Sequence, residues 1–186
     1  MTVPIVETTR LLLRGHHLDD FADSAAMWAD PSVSRHIGGK PSTREEAWTR
    51  FLRYLGHWAA MGFGYWVVTE RSSGRFVGEV GFADFKRDIE PSLEGAMEIG
   101  WVLAPTAHGK GYATEAASAA LDWGAAHFAS MRAVCLIDPG NEPSIRVAEK
   151  CGFREIGRTT YKGDPTIVFE RARASIMAAM GGSSPA

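Results

Sequence analysis

Residues 104–116 read APTAHGKGYATEA and stand between a strand-like run, Met97 to Leu103 (MEIGWVL), and a helical stretch near Tyr112 to Ala129. Gly109 and Gly111 let the backbone turn tightly and approach a ligand closely. The first N–H groups of the following helix point outward without partners, with the positive end of the helix dipole behind them. Lys110 adds a positive charge and Thr114 a hydroxyl donor, so the stretch reads as a pyrophosphate cradle, with an ordinary helix entry as its alternative. A Walker loop needs Gly where Ala104 stands and Ser or Thr where Gly111 stands. A dinucleotide fingerprint G-x-G-x-x-G needs Gly where Thr114 stands, and Asp138 lies too far along for the ribose-binding acid.

Outward from this turn the period of apolar residues assigns the rest. Toward the N-terminus, Arg10 to Arg14 (RLLLR) predicts a strand, followed by a helix on Leu18, Phe21, Ala22, Ala25, Ala26 and Trp28 that ends near Pro31. A capping-box pattern, Ser42-x-x-Glu45, opens a second helix to about Ala60, with Trp48, Phe51, Leu52, Leu55 and Trp58 as its apolar stripe and Gly62 past its end. YWVVTE from Tyr65, the turn Ser72-Ser73-Gly74 and RFVGEVGF predict a hairpin, and Asp84 to Gly95 a polar loop. Toward the C-terminus come a strand over Ala133 to Ile137, a short helix capped by Asn141 and closed by Gly152, and a hairpin of Glu155 to Tyr161 with Thr166 to Glu170. The predicted order is β-α-α-β-β-β-α-β-α-β-β, a mixed α/β (α+β) fold whose central sheet is mostly antiparallel and flanked by helices. One domain over 1–175 is expected, with 176–186 as a flexible tail whose GGSSPA ending cannot offset its ordering entropy.

Composition excludes several classes. Twenty Lys and Arg against 22 Asp and Glu give a net charge of -2, which leaves no basic field for nucleic acid or an anionic membrane. No run is long and apolar enough to span a bilayer, and MTVPIVETTR does not read as a secretion signal. Cys135 and Cys151 fit no C-x-x-C spacing, so a cytoplasmic location is expected. The six histidines, His16, His17, His36, His57, His108 and His127, show neither H-E-x-x-H spacing nor a Cys partner, and no metal is expected.

HGKGYA resembles the R/Q-x-x-G-x-G/A acetyl-CoA loop of the GNAT N-acetyltransferases. Taken in order, ETTRLLLR, EIGWVL, GKGYATEA and NEPSIRVAEKCGF are similar to the RimJ/RimL-like branch of ribosomal-protein N-terminal acetyltransferases, over about Glu7 to Arg171. His108 departs from the pattern, which has Arg or Gln there. The resemblance implies the GNAT acyl-CoA N-acyltransferase fold, acetyl-CoA as co-substrate and an amine acceptor, either a peptide N-terminus or a small molecule. It implies that Met97–Leu103 splays from Ala133–Ile137 to admit the pantetheine arm, with the backbone of Trp101, Val102 and Leu103 pairing with its amides. The loop of His108, Gly109, Lys110, Gly111, Tyr112, Ala113 and Thr114 would hold the pyrophosphate, Asn141 would bond the arm, and Ser144 would approach the sulfur. The family's acceptor recognition tends to lie where this chain has Arg35 to Lys40.

Acetyl transfer needs a neutral amine, and an α-amine with a pKa of about 8 loses its proton far more readily than a Lys side chain at about 10.4. Glu98 interrupts an apolar strand and shares a face with Gly100 and Val102, so it is the candidate base, with an ion-paired strand residue as the alternative. Glu79 is a second candidate. Ser144 is the candidate donor to the leaving thiolate, and both Ser144 and Asn141 also suit the first turn of a helix. Trp28, His36, Trp58, Trp66 and Phe82 fit either an acceptor cleft or the core. A non-catalytic acyl-CoA-binding module is the competing class, and monomer and homodimer both stay open.

Overall fold

The computed structural model describes residues 2–128 and 132–171. The expected tail and the expected helix end at Ala129 lie outside the described residues. One eight-stranded sheet holds every strand among the described residues: β1 (Val6–Glu7), β2 (Leu11–Arg14), β3 (Tyr65–Glu70), β4 (Phe76–Ala83), β5 (Ala96–Leu103), β6 (Arg132–Ile137), β7 (Phe153–Tyr161) and β8 (Asp164–Arg171). Their spatial order is β1-β2-β3-β4-β5-β6-β8-β7. Neighbours are antiparallel except β5 and β6, which are joined through a helix and run parallel.

Among the described residues five α-helices accompany the sheet: α1 (Phe21–Trp28), α2 (Pro31–Ser34), α3 (Arg44–Met61), α4 (Tyr112–His127) and α5 (Glu142–Lys150). The expected order lacked β1, which is only two residues long, and α2. Pro31, read as a stop for α1, instead starts α2 at its first position, where its missing N–H costs nothing; the Asp30 carboxylate accepts from Ser32 N at 2.8 Å. The expected cap of α3 is corrected by one residue. Thr43 and Glu46 form the capping box, while the Ser42 hydroxyl accepts from Arg50 at 3.1 Å. The buried stripe of α3 is Ala47, Phe51, Tyr54 and Trp58, so it is rotated from the expected one, and Trp48 and Leu52 sit exposed on its flank. Lys162 and Gly163 make the last hairpin turn, both at positive φ, and Asp164 belongs to β8.

Alternation along β5 divides the core. Met97, Ile99 and Leu103 join Ala116, Ala117, Ala120 and Leu121 of α4 in the main cluster. Val102 instead joins Ala25 and Trp28 of α1, Val33 of α2 and Ala47 of α3. Trp58, Trp66 and Trp123 meet edge to face, with ring centroids 4.8, 5.0 and 5.5 Å apart. Trp58, Trp66 and Phe82, candidates for a cleft, are therefore core residues.

Beneath α1 lies a buried polar network. Glu79 of β4 is wholly buried; it accepts from Ser24 Oγ at 2.6 Å and Trp28 Nε1 at 3.0 Å, with His16 Nε2 at 3.3 Å. Nearby, Arg14 donates to both carboxylate oxygens of Asp20 at 2.7 Å, and His17 N donates at 2.7 Å. Burial opposes the charge of Asp20, but the Arg14 bonds and the His17 N–H outweigh it and hold the carboxyl below its ordinary 3.8. A depressed folded pKa contributes stability above the ordinary value that is lost as pH falls through the folded one. Asp20→Asn is therefore expected to cost about 2 kcal/mol at neutral pH. In urea melts the gap from wild type should persist down to about pH 5 and shrink below the ordinary value.

Candidate active site

Parallel pairing of β5 with β6 covers only Ala96↔Arg132, Met97↔Ala133 and Glu98↔Val134. Beyond Glu98 the strands separate, while β5 stays paired to β4 as far as Leu103↔Gly78. The edge of β5 that faces β6 is therefore without a strand partner from Ile99 onward, which is the splay expected of these two strands. Two cavities meet along it. One, of about 640 Å³, lies between the end of β5, the glycine turn and α5, and the other, of about 380 Å³, lies between β5, α3 and the end of β6. Trp101, Val102, Asn141, Ser144, His36 and Ile37 line both.

The glycine turn has the geometry its residues demand. Gly109 and Gly111 have φ of +75° and +78°, a region that L side chains rarely adopt. A Cβ on Gly109 would meet nothing within 4 Å, so the loop is open on that side. Gly111 precedes the first turn of α4 and no side chain caps it among the described residues, which leaves the first N–H groups of a 16-residue helix aimed at the cavity. Tyr112, Ala113 and Thr114 belong to that turn and line the cavity with Gly109 and Gly111; Lys110, not among its lining residues, is exposed beside it. Arg10 anchors the loop from outside: Nη1 donates to Lys110 O at 2.9 Å, and Nε donates to Glu115 at 2.7 Å. Thr8 adds a 2.6 Å bond to the same carboxylate. Burial opposes the charge of Glu115, but these donors outweigh it and lower its pKa. His108, the departure from the acetyl-CoA loop pattern, bonds the end of β5 through Nε2 and Leu103 O at 2.9 Å. A carbonyl only accepts, so Nε2 carries the proton.

On the far wall, Asn141 Oδ1 accepts from Ser144 N at 3.2 Å and caps α5. Trp101 Nε1 donates to Ser144 Oγ at 3.3 Å across the junction of the cavities, and this leaves the Ser144 hydroxyl hydrogen available.

Glu98 lies in the smaller cavity, but its two oxygens accept from Arg87 at 2.6 and 2.7 Å. The ion-paired alternative is thus realised. Burial opposes the charge of Arg87, and the bonds and charge of Glu98 more than offset it, raising its pKa. Glu79 reaches neither cavity surface. Sequence reasoning missed a second pair, His36 Nδ1 to Asp138 Oδ2 at 2.7 Å, with Gly140 N donating to Asp138 Oδ1 at 2.8 Å. The His36 bond and then Gly140 lower the Asp138 pKa. Residues over a hundred positions apart leave no local signal of such a contact. Trp28 lines the smaller cavity, and Arg35 the larger.

The profile of the acetyltransferase (GNAT) domain matches residues 10–154. The chain belongs to the GNAT acetyltransferase family. It is an acetyltransferase enzyme. YnaD of Bacillus subtilis (strain 168), described as an uncharacterized N-acetyltransferase, is 30% identical over 152 residues, which are 82% of this chain and 84% of YnaD. An acetyltransferase from Agrobacterium tumefaciens C58 superposes with a TM-score of 0.80 at 27% identity, covering 92% of this chain and 96% of that one. RimL, a ribosomal L7/L12 alpha-N-protein acetyltransferase solved with coenzyme A, shares the fold at a TM-score of 0.73 and 18% identity, over 90% of this chain and 97% of that one. No helix among the described residues is long and apolar enough to cross a membrane.

Tyr65 closes the floor of the smaller cavity, where burial and then the charge of Glu98 raise its phenol above the ordinary 10.0. A Cβ on Gly100 would run into the Tyr65 hydroxyl. Gly100→Ala is expected to destabilise by about 1–3 kcal/mol through this overpacking, measured by thermal denaturation. Gly100→Ala with Tyr65→Phe should recover most of the loss.

Proposed function

We propose that this GNAT enzyme takes acetyl-CoA as co-substrate in the larger cavity and a primary amine in the smaller one, and that the amine attacks the thioester directly in a ternary complex. The observation that carries the reading is the junction of the two cavities on the unpaired edge of β5, between Trp101 and Ser144. In this proposal the pyrophosphate lies on the first turn of α4 and the glycine turn, the pantetheine amides pair with β5 at Trp101, Val102 and Leu103, and Asn141 bonds the arm. CoA supplies an activated acetyl group, and the chain's residues align it with the amine. Ser144 donates to the departing sulfur. N–H groups of the β5 edge stabilise the oxyanion. One domain, 1–175, carries both halves, and a cytoplasmic location suits it. The RimJ/RimL-like branch, and with it an α-amine acceptor, is supported by the order of the four sequence motifs.

Proton removal involves Glu98 in a form adjusted to its ion pair. A carboxylate offers about four lone-pair positions, and Arg87 takes two, so water between Glu98 and the amine has acceptor sites left.

Two variants test the halves separately. Gly111→Val places a β-branched residue at φ +78°, a strain on the order of 1–3 kcal/mol. CoA affinity by calorimetry should therefore fall about tenfold or more; wild-type affinity would remove the cradle. Glu98→Gln should lower kcat by about 100-fold and move the pH profile upward, with CoA affinity kept. Turnover unchanged at every pH would take Glu98 out of proton transfer.

A further inference from the structure

The smaller cavity has more positive than negative charge, in a chain whose net charge is -2. Its cations are Arg50, Arg53, Arg87 and Lys162, and its carboxylates are Glu98 and Asp138. Both carboxylates are already engaged, Glu98 by Arg87 and Asp138 by His36 and Gly140 N. Arg50, Arg53 and Lys162 have no carboxylate within ion-pair distance among the described residues.

We infer that the acceptor amine belongs to a molecule that also carries a carboxylate, held by Arg50 and Arg53 while the amine lies at the Trp101–Ser144 junction. The inference rests on the reading of this cavity as the acceptor side.

Arg50 and Arg53 are three positions apart on α3, so they share a helix face, and both line the cavity. Arg50 is held in place. Its guanidinium lies 3.7 Å from the Trp28 ring centroid, and Nη1 donates to Ser42 Oγ. A guanidinium has five N–H donors in a planar fork, so most remain for a ligand, and the fork matches a carboxylate. Arg53 rests on Phe85 at 5.0 Å, and its guanidinium has no hydrogen-bond partner among the described residues. Lys162, at the tip of the β7–β8 hairpin, adds its charge from the other side. These cations line one cavity of about 380 Å³, which raises the local concentration of anions there. It favours an amine whose own charge is balanced by a carboxylate and disfavours one accompanied by further ammonium groups, as in polyamines or aminoglycosides. The carboxylate is either that of a free amino acid or the side chain of an acidic peptide N-terminus.

The test is acceptor-dependent thiol release from acetyl-CoA with matched pairs. Aspartate and glutamate are compared with their diamides, amidated tetrapeptides starting Asp-Ala are compared with those starting Asn-Ala and Lys-Ala, and spermidine represents polycations. In the wild type the acid of a pair should exceed its amide by about tenfold in kcat/KM, or about 1.4 kcal/mol. That ratio should collapse in both Arg53→Gln, at an exposed position where folding is not at stake, and Arg50→Gln. Preference for free acids or for acidic peptides identifies the source of the carboxylate. Amides or spermidine used as well as the acids, a ratio unchanged in both variants, or thiol release with none of the acids would each overturn the inference. CoA calorimetry on the same proteins separates the readings: CoA bound without acid turnover removes only the anionic acceptor, and no CoA binding removes the proposed function as well.

Discussion

The structure depends on a partial separation of two parallel strands. β5 and β6 begin as neighbours and part after Glu98↔Val134, while β4 on one side and β8 on the other hold each strand straight. An unpaired sheet edge inside a fold leaves backbone groups that must find partners elsewhere. Here that requirement is put to use. The edge of β5 is left open from Ile99 onward, and both cavities open along it. The helix that makes the parallel crossover, α4, begins at the mouth of the gap, so its uncapped N-terminal turn opens onto the larger cavity.

Charged pairs hold the walls of this gap in register. Arg10 with Glu115 ties the glycine turn to the β1–β2 corner, Arg87 with Glu98 ties the loop before β5 to β5 itself, and His36 with Asp138 ties the segment after α2 to the end of β6. Each joins elements that the hydrophobic clusters leave at their margins. Deeper in, the Glu79 network performs the same service between α1 and β4, where a carboxylate out of water requires all its bonds. Positioning by charge at the rim and by packing beneath is consistent with a site that needs fixed distances but has to admit two substrates.

What could be read from the sequence was local. Strands, helices and the glycine turn follow from periodicity, propensity and left-handed positions within a few residues, and the four motifs in their order specified the family's fold. Errors arose where adjacent residues compete on equal terms: Ser42 and Thr43 each have Glu three positions on, and the apolar stripe of α3 could be drawn through Ala47 or through Trp48. Missing altogether were contacts between distant segments. Glu98 is legible as an anomaly in an apolar strand, but its partner Arg87 comes from a polar loop with no regular pattern. His36 and Asp138 were each noticed and neither was paired. The cationic face of α3 was hidden too, because Arg50 and Arg53 read as the ordinary polar side of an amphipathic helix.

The divergence of β5 and β6 has a bearing on how the chain matures. β4 and β5 follow one another in sequence and pair directly, but β6 begins only at Arg132, after the whole of α4. During synthesis β5 is therefore the border of a partly made sheet, apolar and able to recruit a strand from another chain. Native neighbours later cover its first part, through Glu98, and the remainder stays uncovered by strand pairing in the finished protein. The same open edge that borders the two cavities is thus also a place where a partly made chain is open to misassembly.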